Sequence, residues 1–415
     1  MTLHVSRWAL MVLAVVVMGI FLPLLYQTVL DRKTGKTQLF FSPVIKKFVY
    51  REMVGEGDQF VTRDEDGNEY DREAFECLIP FVYYKNMDLW GKLPLKIGNH
   101  TFTREQMKAN RQVFEFKPQD IQDRRPRVPV YPLLESEPGV AGLRFPKDAF
   151  RMTVGSMEFF NVDTNQVEKD LSLRFTQTLG EAGFQFPAIL VSGKVSILKP
   201  FNEGFFLMDA RNQVFHVKRV KGQAVVVKTP ISTSMGVRAI KVSENNKREI
   251  LGMLLTNNDE LFLISYDDYR LIKLPLEGYG PDTMDFKLLI NPLYRAAVYS
   301  DDQMIRAVAM DNAYTVVGRY QHEMFSGKKQ AADRVFDALF PFHIQMRDPT
   351  SGYLQFRLVC HGWPTVIGVG VALILGALIM GLRRISLRTN WSDMVFILFT
   401  GLYGLVAVNL IEPEG

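Results

Sequence analysis

The chain lacks the short motifs that identify common catalytic centres. It has no G-x-S-x-G nucleophile turn, no phosphate-binding P-loop and no dinucleotide-binding fingerprint. Its 6 histidines are spread along the chain, so a zinc site would have to be assembled from distant positions. We therefore predict no catalytic residue, no metal site and no cofactor. The sequence gives an enzyme little support, although a catalytic acid pair among the 45 acidic residues stays open.

Cysteine is nearly absent. The 2 cysteines, Cys77 and Cys360, both fall in the part of the chain that we expect outside the cytoplasm. An oxidising compartment would allow them to form a disulfide, and the alternative is two separate thiols. No C-x-x-C-H precedes His361, which excludes attachment of a c-type haem there.

The chain also lacks a strong charge of either sign. Its net charge is +4, and its basic residues do not form a stripe interleaved with aromatic side chains. Binding to nucleic acid is therefore not predicted. The basic run from Asp123 to Arg127 is interpreted as a solvated segment.

The sequence does contain three long apolar runs, at 8–30, 363–382 and 394–411. About 20 apolar residues suffice to cross a bilayer, so we predict three transmembrane helices, which makes membrane lipid a partner. Trp8, Trp363 and Trp391 lie at the predicted ends of these helices, where an indole ring suits the membrane interface. A cleaved signal peptide is the alternative for the first run, but the run is long and no A-x-A-like site follows it.

Arginines next to the predicted helices indicate their orientation. Arg7 precedes the first helix, and Arg383, Arg384 and Arg388 lie in the short loop between the second and third. Because positive residues concentrate on the cytoplasmic side, we predict that both segments are cytoplasmic. With three crossings, the large middle domain and the C-terminal tail would lie outside the cytoplasm.

Small residues recur four apart in the second predicted helix, as Ala372 with Gly376 and Ala377 with Gly381. Such spacing allows two helices to approach closely in a membrane. One interpretation is a docking face for a partner subunit. The other is packing against the chain's own third helix, which contains Gly401 and Gly404.

The middle of the chain carries a repeated β pattern, in which apolar strands run into turns at Asp163, Asp209, Asn258 and Asp302. Short strands that repeat at the spacing of these four turns are typical of β-propeller blades, although a meander of packed sheets gives similar hairpins. Further predicted strands are 214–220, 224–227, 260–265, 269–274, 303–310, 314–320 and 353–359. Before the repeat we predict a small α+β section with a hairpin at 60–70 and a helix near 103–113, and after it a helix at 327–339.

The predicted fold is therefore mainly β, with a propeller-like repeat domain preceded by an α+β section and anchored by three transmembrane helices. The predicted boundaries are a cytoplasmic N-terminus (1–7), transmembrane helix 1 (8–30), the α+β section (31–117), a proline-rich connector (118–150), the β-repeat section (151–325), a membrane-proximal helix and strand (326–362), transmembrane helix 2 (363–382), a cytoplasmic loop (383–391), transmembrane helix 3 (392–411) and an outer tail (412–415).

Three stretches resemble signatures of a known family. They are Phe41–Tyr50, Leu78–Pro94 and Arg111–Pro118. They are similar to an uncharacterised bacterial family of membrane-anchored proteins, classed as a domain of unknown function. The resemblance implies an inner-membrane location and an association with ABC-transporter genes. It implies no activity and no site residues.

Three functions are consistent with these features. The first is an accessory or recognition subunit of a membrane complex, with an ABC permease and ATPase as partners, because the cytoplasmic portion is too small to hydrolyse ATP. The second is a periplasmic propeller that binds a small ligand or a redox cofactor, although the β-repeat section has no tryptophan, which such propellers commonly repeat. The third is a scaffold for envelope assembly. The oligomeric state does not follow from the sequence.

Overall fold

The structure is a computed structural model that describes residues 2–30, 37–54, 60–325, 331–348, 350–384 and 390–411. The chain divides into two compact units. The large unit comprises Lys36–Val54 and Asp58–Phe325, and the anchor unit comprises Met1–Gly35, Gly55–Gly57 and Ser326–Gly415.

The described α-helices are α1 (Thr2–Leu30), α2 (Arg72–Leu78), α3 (Tyr84–Leu89), α4 (Arg104–Asn110), α5 (Lys169–Glu181), α6 (Ala331–Leu339), α7 (Pro364–Leu382), α8 (Trp391–Thr400) and α9 (Leu402–Leu410). The described strands are β1 (Gln38–Phe41), β2 (Phe48–Met53), β3 (Phe60–Asp64), β4 (Leu95–Ile97), β5 (His100–Phe102), β6 (Gln112–Phe116), β7 (Asp148–Met152), β8 (Met157–Asn161), β9 (Leu190–Gly193), β10 (Phe205–Met208), β11 (Val214–Val220), β12 (Gln223–Lys228), β13 (Val237–Val242), β14 (Ile250–Thr256), β15 (Leu261–Ser265), β16 (Leu271–Lys273), β17 (Asp285–Ile290), β18 (Arg295–Ser300), β19 (Met304–Met310), β20 (Val316–Glu323), β21 (Phe342–Arg347) and β22 (Leu354–Cys360).

The large unit is mainly β, as predicted. Among its described residues, three sheets have the strand orders β9-β10-β11-β12, β13-β14-β15-β16 and β6-β17-β18-β19-β20, and every pairing within them is antiparallel. The turns predicted at Asp209, Asn258 and Asp302 join the second and third strands of the three repeats. The predicted strand at 214–220 coincides with β11, and the other predicted strands are confirmed with small shifts in their ends.

The first predicted repeat is confirmed only as a strand and a turn and does not form a four-stranded unit. The turn at Asp163 follows the two-stranded sheet β7-β8 and leads into helix α5 rather than into further strands. The physical reason is the four-residue spacing of Leu171, Phe175 and Leu179, which places these apolar side chains on one face of a helix. Phe175 and Leu179 are fully buried beneath that face.

The layers of the large unit pack in series. Phe175 and Phe215 belong to the core between the β7-β8 layer and the first large sheet, and Phe206 and Leu254 to the core between the first and second. A third core fills the space between the second and third sheets. Strand β14 is buried along its whole length because both of its faces are covered. No sheet in the described chain closes on itself, so a closed propeller remains a prediction.

The α+β section is confirmed in outline. Helix α4 begins after Thr103, which caps it with the side chain of Gln106 in a capping box, as a helix start requires. Strand β3 pairs along its length with β2, while a single bridge between Arg63 and Glu69 closes the predicted hairpin. The connector contains 3₁₀ turns at Pro118–Asp120 and Gln122–Arg124 and no α-helix, as its prolines require.

The anchor unit contains two helices that are long and apolar enough to cross a membrane, Val5–Val29 within α1 and Pro364–Leu382, which is α7. Only a stripe of α1 is fully buried, at Met11, Val15, Gly19 and Pro23. Side chains beside the stripe, such as Met18 and Leu22, are partly buried, and many of the remaining apolar side chains are exposed. An exposed apolar exterior of this kind suits contact with lipid. Helix α6 and the hairpin β21-β22 belong to the same unit, which confirms the helix and strand expected before the second run.

The third predicted transmembrane helix is wrong as a single crossing. Its residues form two short helices, α8 with 10 residues and α9 with 9, separated at Gly401, whose φ is +57°. At about 1.5 Å per residue, neither helix spans the hydrocarbon core of a bilayer. Asp393 at the start of α8 and Ile411 after α9 both contact Arg7, so the segment turns back on itself. Ile411 therefore lies beside the start of α1. The predicted outer tail, 412–415, lies outside the described residues.

Candidate functional site

A large cavity of the large unit lies where its three large sheets meet. It has a volume of about 700 Å³ and is lined by β6, β9 and β13 together with the connector. Each of these strands is the edge strand of its sheet, so one side of its backbone has no strand partner. The cavity is thus framed by three strand edges, and its size falls in the range of pockets for small organic ligands.

One part of the cavity wall is apolar. These apolar side chains come from β6, the connector, β9, the segment after β9, and β14. In that order they are Val113, Val128 and Val130, Val191, Val195, and Met253. Val128 is 76% exposed, so the connector presents an apolar side chain without covering it. This wall can receive the apolar body of a ligand.

The acidic side chains of the lining are already paired. Asp120 accepts from Lys241, whose Nζ lies 2.6 Å from its Oδ2. Glu115 lies 2.9 Å from the Nζ of Lys287. The hydrogen bond from Lys287 is the main reason that the pKa of Glu115 lies below its usual range, with the charges of Lys117 and Lys241 acting in the same direction. Each carboxylate is therefore paired with a lysine.

Two cations of the lining have no such partner. Arg125 in the connector and Lys194 after β9 are exposed, and no ion pair joins either to a carboxylate in the described chain. Arg127 also lines the cavity and donates to the carbonyl oxygen of Asp120 at 3.0 Å. The basic lining residues are Arg125, Arg127, Lys194 and Lys241, against the acidic Glu115 and Asp120. The cavity therefore has an excess of positive charge.

Ion pairs hold the connector against the second sheet. Arg124 Nη2 lies 2.7 Å from Asp282 Oδ1, and Arg238 Nη2 lies 2.6 Å from the same oxygen. The two guanidinium groups keep the pKa of Asp282 low although burial acts to raise it. Sequence reasoning took the basic run 123–127 as a solvated segment, whereas Arg124 is fixed and Arg125 lines the cavity. The basic run is visible in the sequence, but no local pattern indicates which strands its side chains contact.

A buried polar cluster stands beside the cavity and orders its loops. The side chains of Lys199 and Glu244 are 0% exposed and form an ion pair. Lys199 Nζ also donates to the carbonyl of Lys194 at 2.7 Å and to Asn202 Oδ1 at 2.8 Å. All three ammonium donors are thus used, so we assign Lys199 a role in positioning the loop that carries Lys194.

His216 belongs to the same region and is 1% exposed. Its Nδ1 lies 2.9 Å from the hydroxyl of Tyr269, and its Nε2 contacts the carbonyl of Glu203. Burial, together with the charge of Lys218, lowers the pKa of His216 to about 4. The imidazole is therefore neutral at physiological pH and ties β11 to its neighbours.

The anchor unit contains a chain of polar side chains that sequence reasoning missed. His361 Nδ1 lies 2.8 Å from Asp337 Oδ1, and His361 Nε2 lies 2.9 Å from His343 Nδ1. Burial is the first cause that lowers the pKa of His343, and the neighbouring His361 adds to it. His361 therefore contacts Asp337 through one ring nitrogen and His343 through the other. No group of three metal-ligating side chains is found in the described residues, which leaves this cluster a link between α6 and the hairpin β21-β22.

The disulfide that one of the two alternatives allowed is not present. Cys77 and Cys360 are both free thiols. Cys77 is half-buried on α2, with its Sγ 3.1 Å from Lys92 Nζ, and Cys360 is exposed at the end of β22. The structure therefore has the alternative of two separate thiols.

The small residues of α7 divide into two groups. Ala372 and Gly376 are buried, and a Cβ added to Gly376 would lie 3.0 Å from Ile397 of α8 and 3.6 Å from Leu405 of α9. This half of the face packs against the chain's own helices, as one of the two interpretations held. Ala377 is half-buried, and Gly381 is exposed with nothing within 4 Å of an added Cβ.

The residues used to predict topology are mostly described. Arg7 forms an ion pair with Asp393, while Arg383 and Arg384 follow α7 directly. Arg388 lies outside the described residues. Trp8 packs edge-on against Phe396 of α8, and Trp363 and Trp391 are 75% and 65% exposed at the starts of α7 and α8. Such exposed indoles fit the interface positions predicted for them.

Comparisons with known proteins identify a family but no function. Residues 38–310 match the family model described as "Domain of unknown function (DUF4857)". No curated protein matches the chain. Among solved structures, the β-propeller domain of Cps50 (Swd1) from Myceliophteria thermophila matches at 10% identity and a TM-score of 0.25. The match covers 49% of this chain and 58% of that one, and a likeness this weak carries no argument about the fold.

Proposed function

The chain belongs to the DUF4857 family, and from that premise we propose that it is a non-catalytic recognition protein anchored in a bacterial inner membrane. The large unit binds a ligand in the cavity framed by β6, β9 and β13. Helices α1 and α7 hold the protein in the membrane, with the large unit on the periplasmic side. The cavity is the observation that carries this proposal, because a wall of valines beside unpaired cations is suited to binding.

The same proposal assigns a propeller-like role to the three large sheets. Strands β9 and β13 adjoin each other, with Ser192 Oγ donating to the carbonyl of Ile240. The edge strands β6, β9 and β13 would be the innermost strands of three blades, and the cavity would be the axial space between them. Ligands commonly bind in the space enclosed by such barrels and propellers.

We propose that the protein serves a membrane complex, with an ABC-type permease and ATPase as its partners. The exposed apolar side of α7 around Gly381 supports this, since nothing in the described chain lies within 4 Å of a Cβ added there. A neighbouring helix can approach a glycine closely in a membrane. A self-contained ligand-binding protein and an envelope-assembly scaffold are the competing proposals.

Co-purification from native membranes tests the partner. The tagged full chain is extracted in a mild neutral detergent, and the proteins that accompany it are identified by mass spectrometry. We expect a permease and an ATPase in stoichiometric amounts, reduced by Gly381→Leu and retained in the matched variant Gly370→Leu. Recovery of the chain alone in all cases would contradict the transporter role, and recovery of several soluble partners would favour the scaffold.

A further inference from the structure

The lining of the cavity points to the chemical class of its ligand. We propose that the cavity binds an organic anion, with an apolar body against the valine wall and a carboxylate or phosphate group at Arg125 and Lys194. This inference rests on the proposed role of the cavity as a binding site and adds the ligand class to it.

The charge of the lining is the first step. Four basic and two acidic side chains line the cavity. Lys241 is engaged by Asp120, and Glu115 is engaged by Lys287, which lies outside the lining. The acids are therefore not available to neutralise Arg125 or Lys194. An incoming oxyanion supplies the missing counter-charge.

The placement of the two cations is the second step. Arg125 comes from the connector and Lys194 from the segment after β9, so two different elements bring positive charge to one cavity. Both elements are fixed. The connector is held through the ion pair of Arg124 with Asp282, and the carbonyl of Lys194 accepts from the fully buried Lys199. Cations on fixed supports lose less conformational entropy when they bind a ligand than cations on free loops.

The strand edges and the valine wall complete the class. The free sides of β6, β9 and β13 offer backbone N–H donors to an oxyanion. Burial of the hydrocarbon part of a ligand against the apolar wall is favourable, whereas an inorganic ion has no apolar surface to bury there. An anion with an apolar body uses both parts of the cavity. Two sources supply this chemistry: a soluble organic acid and an anionic phospholipid.

Binding of matched probes tests the proposal. The full chain in nanodiscs of neutral phosphatidylcholine is titrated by calorimetry with 2-naphthoate, 2-naphthyl phosphate and the uncharged 2-naphthamide. We expect the two anions to bind about tenfold or more tightly than the amide, since hydrogen bonds to a charged group are stronger than those to a neutral one. The double variant Arg125→Gln/Lys194→Gln should lose this preference. The matched variant Arg211→Gln/Lys228→Gln, which removes two exposed cations outside the cavity, should keep it.

The outcomes separate the ligand class from the proposed function. The variant Ser243→Trp adds an indole ring at a residue that lines the cavity. If the acid and the amide bind equally and Ser243→Trp blocks both, the cavity binds ligands and the anionic class is wrong. If no probe binds, or if binding survives Ser243→Trp, both the ligand class and the role of the cavity are wrong. Nanodiscs containing phosphatidylglycerol distinguish the sources: loss of naphthoate binding there identifies the phospholipid as the occupant, and retained binding identifies a soluble acid.

Discussion

Arg7 of α1 and Asp393 of α8 form an ion pair with two contacts, Nη2 to Oδ2 at 2.8 Å and Nη1 to Oδ1 at 3.1 Å. Arg7 Nε also donates to the carbonyl of Ile411 at 3.2 Å. One guanidinium group therefore joins the start of α1, the start of α8 and the residue after α9. Asp393 is 2% exposed, so the pair closes the helical hairpin at a point sheltered from water.

We expect Asp393→Asn to destabilise the protein strongly. The substitution removes the charge that compensates a sheltered arginine, and breaking such a pair costs on the order of 3–5 kcal/mol. The measurement is thermal unfolding of the purified full chain in neutral detergent. The control is Glu158→Gln, which breaks the exposed pair with Arg151 and should cost less than about 1 kcal/mol. Similar effects of the two substitutions would show that the pair does not hold the hairpin.

Because the chain turns back at Gly401, we expect cysteines introduced at Val5 and Leu410 to be labelled from the same side of the membrane. Both side chains are exposed, and both lie at the end of the anchor unit where Arg7 meets Ile411. Single cysteines at Val5, Leu410 and Val29 are introduced with Cys77→Ser and Cys360→Ser and treated with a membrane-impermeant maleimide. We expect Val5→Cys and Leu410→Cys to react together, and Val29→Cys, at the other end of α1, to react from the opposite side. Opposite labelling of Val5→Cys and Leu410→Cys would restore a single crossing.

Gly368 should not tolerate a side chain. A Cβ at this position would lie 1.6 Å from the carbonyl oxygen of Ala338, so α6 and α7 would have to separate. Forcing extra atoms into a close contact costs on the order of 1–3 kcal/mol or more. We expect Gly368→Ala to lower the melting temperature. Gly370→Ala, with nothing within 4 Å of the added Cβ, should leave it unchanged or raise it, and equal behaviour of the two variants would contradict the close packing.

Because His216 is buried, we expect the free energy of unfolding to fall as the pH is lowered. In the folded protein its pKa is lowered to about 4, chiefly by burial. In the unfolded chain the pKa of a histidine is about 6.5. Between pH 4 and 6.5 the imidazole is therefore protonated in the unfolded state and neutral in the folded state. The contribution of His216 is complete above pH 6.5 and is lost at about 1.4 kcal/mol per unit between pH 6.5 and 4. Denaturant unfolding across this range measures it.

The comparison is between His216→Gln and His100→Gln. The first variant removes the buried imidazole and should flatten the dependence on pH, whatever its own stability. The second removes an exposed histidine and should follow the wild type. If His216→Gln keeps the full slope, another group is responsible for the loss of stability in acid.

Local sequence patterns were enough to predict the two long apolar helices, the mainly β character of the middle of the chain and most of its strands. These features depend on local periodicity: long apolar runs, alternation along strands and Asp or Asn at tight turns. Strand β11 was predicted to the residue because both of its ends are bounded by turns. Local patterns were not enough at α5, where strands were predicted and a helix is present. They were also not enough at 392–411, where the length of the apolar run predicts one crossing and two short helices are present.

The turn at Gly401 and the set of residues that line the cavity depend on long-range contacts. An apolar run of sufficient length fits either one long helix or two short ones, and the choice depends on distant partners such as Arg7 and Pro341. Likewise, Arg125 and Lys194 lie 69 positions apart and become neighbours of one cavity because separate sheets place their edges together. Local patterns fix the strands, but the contacts between sheets are long-range, and no spacing along one chain records them.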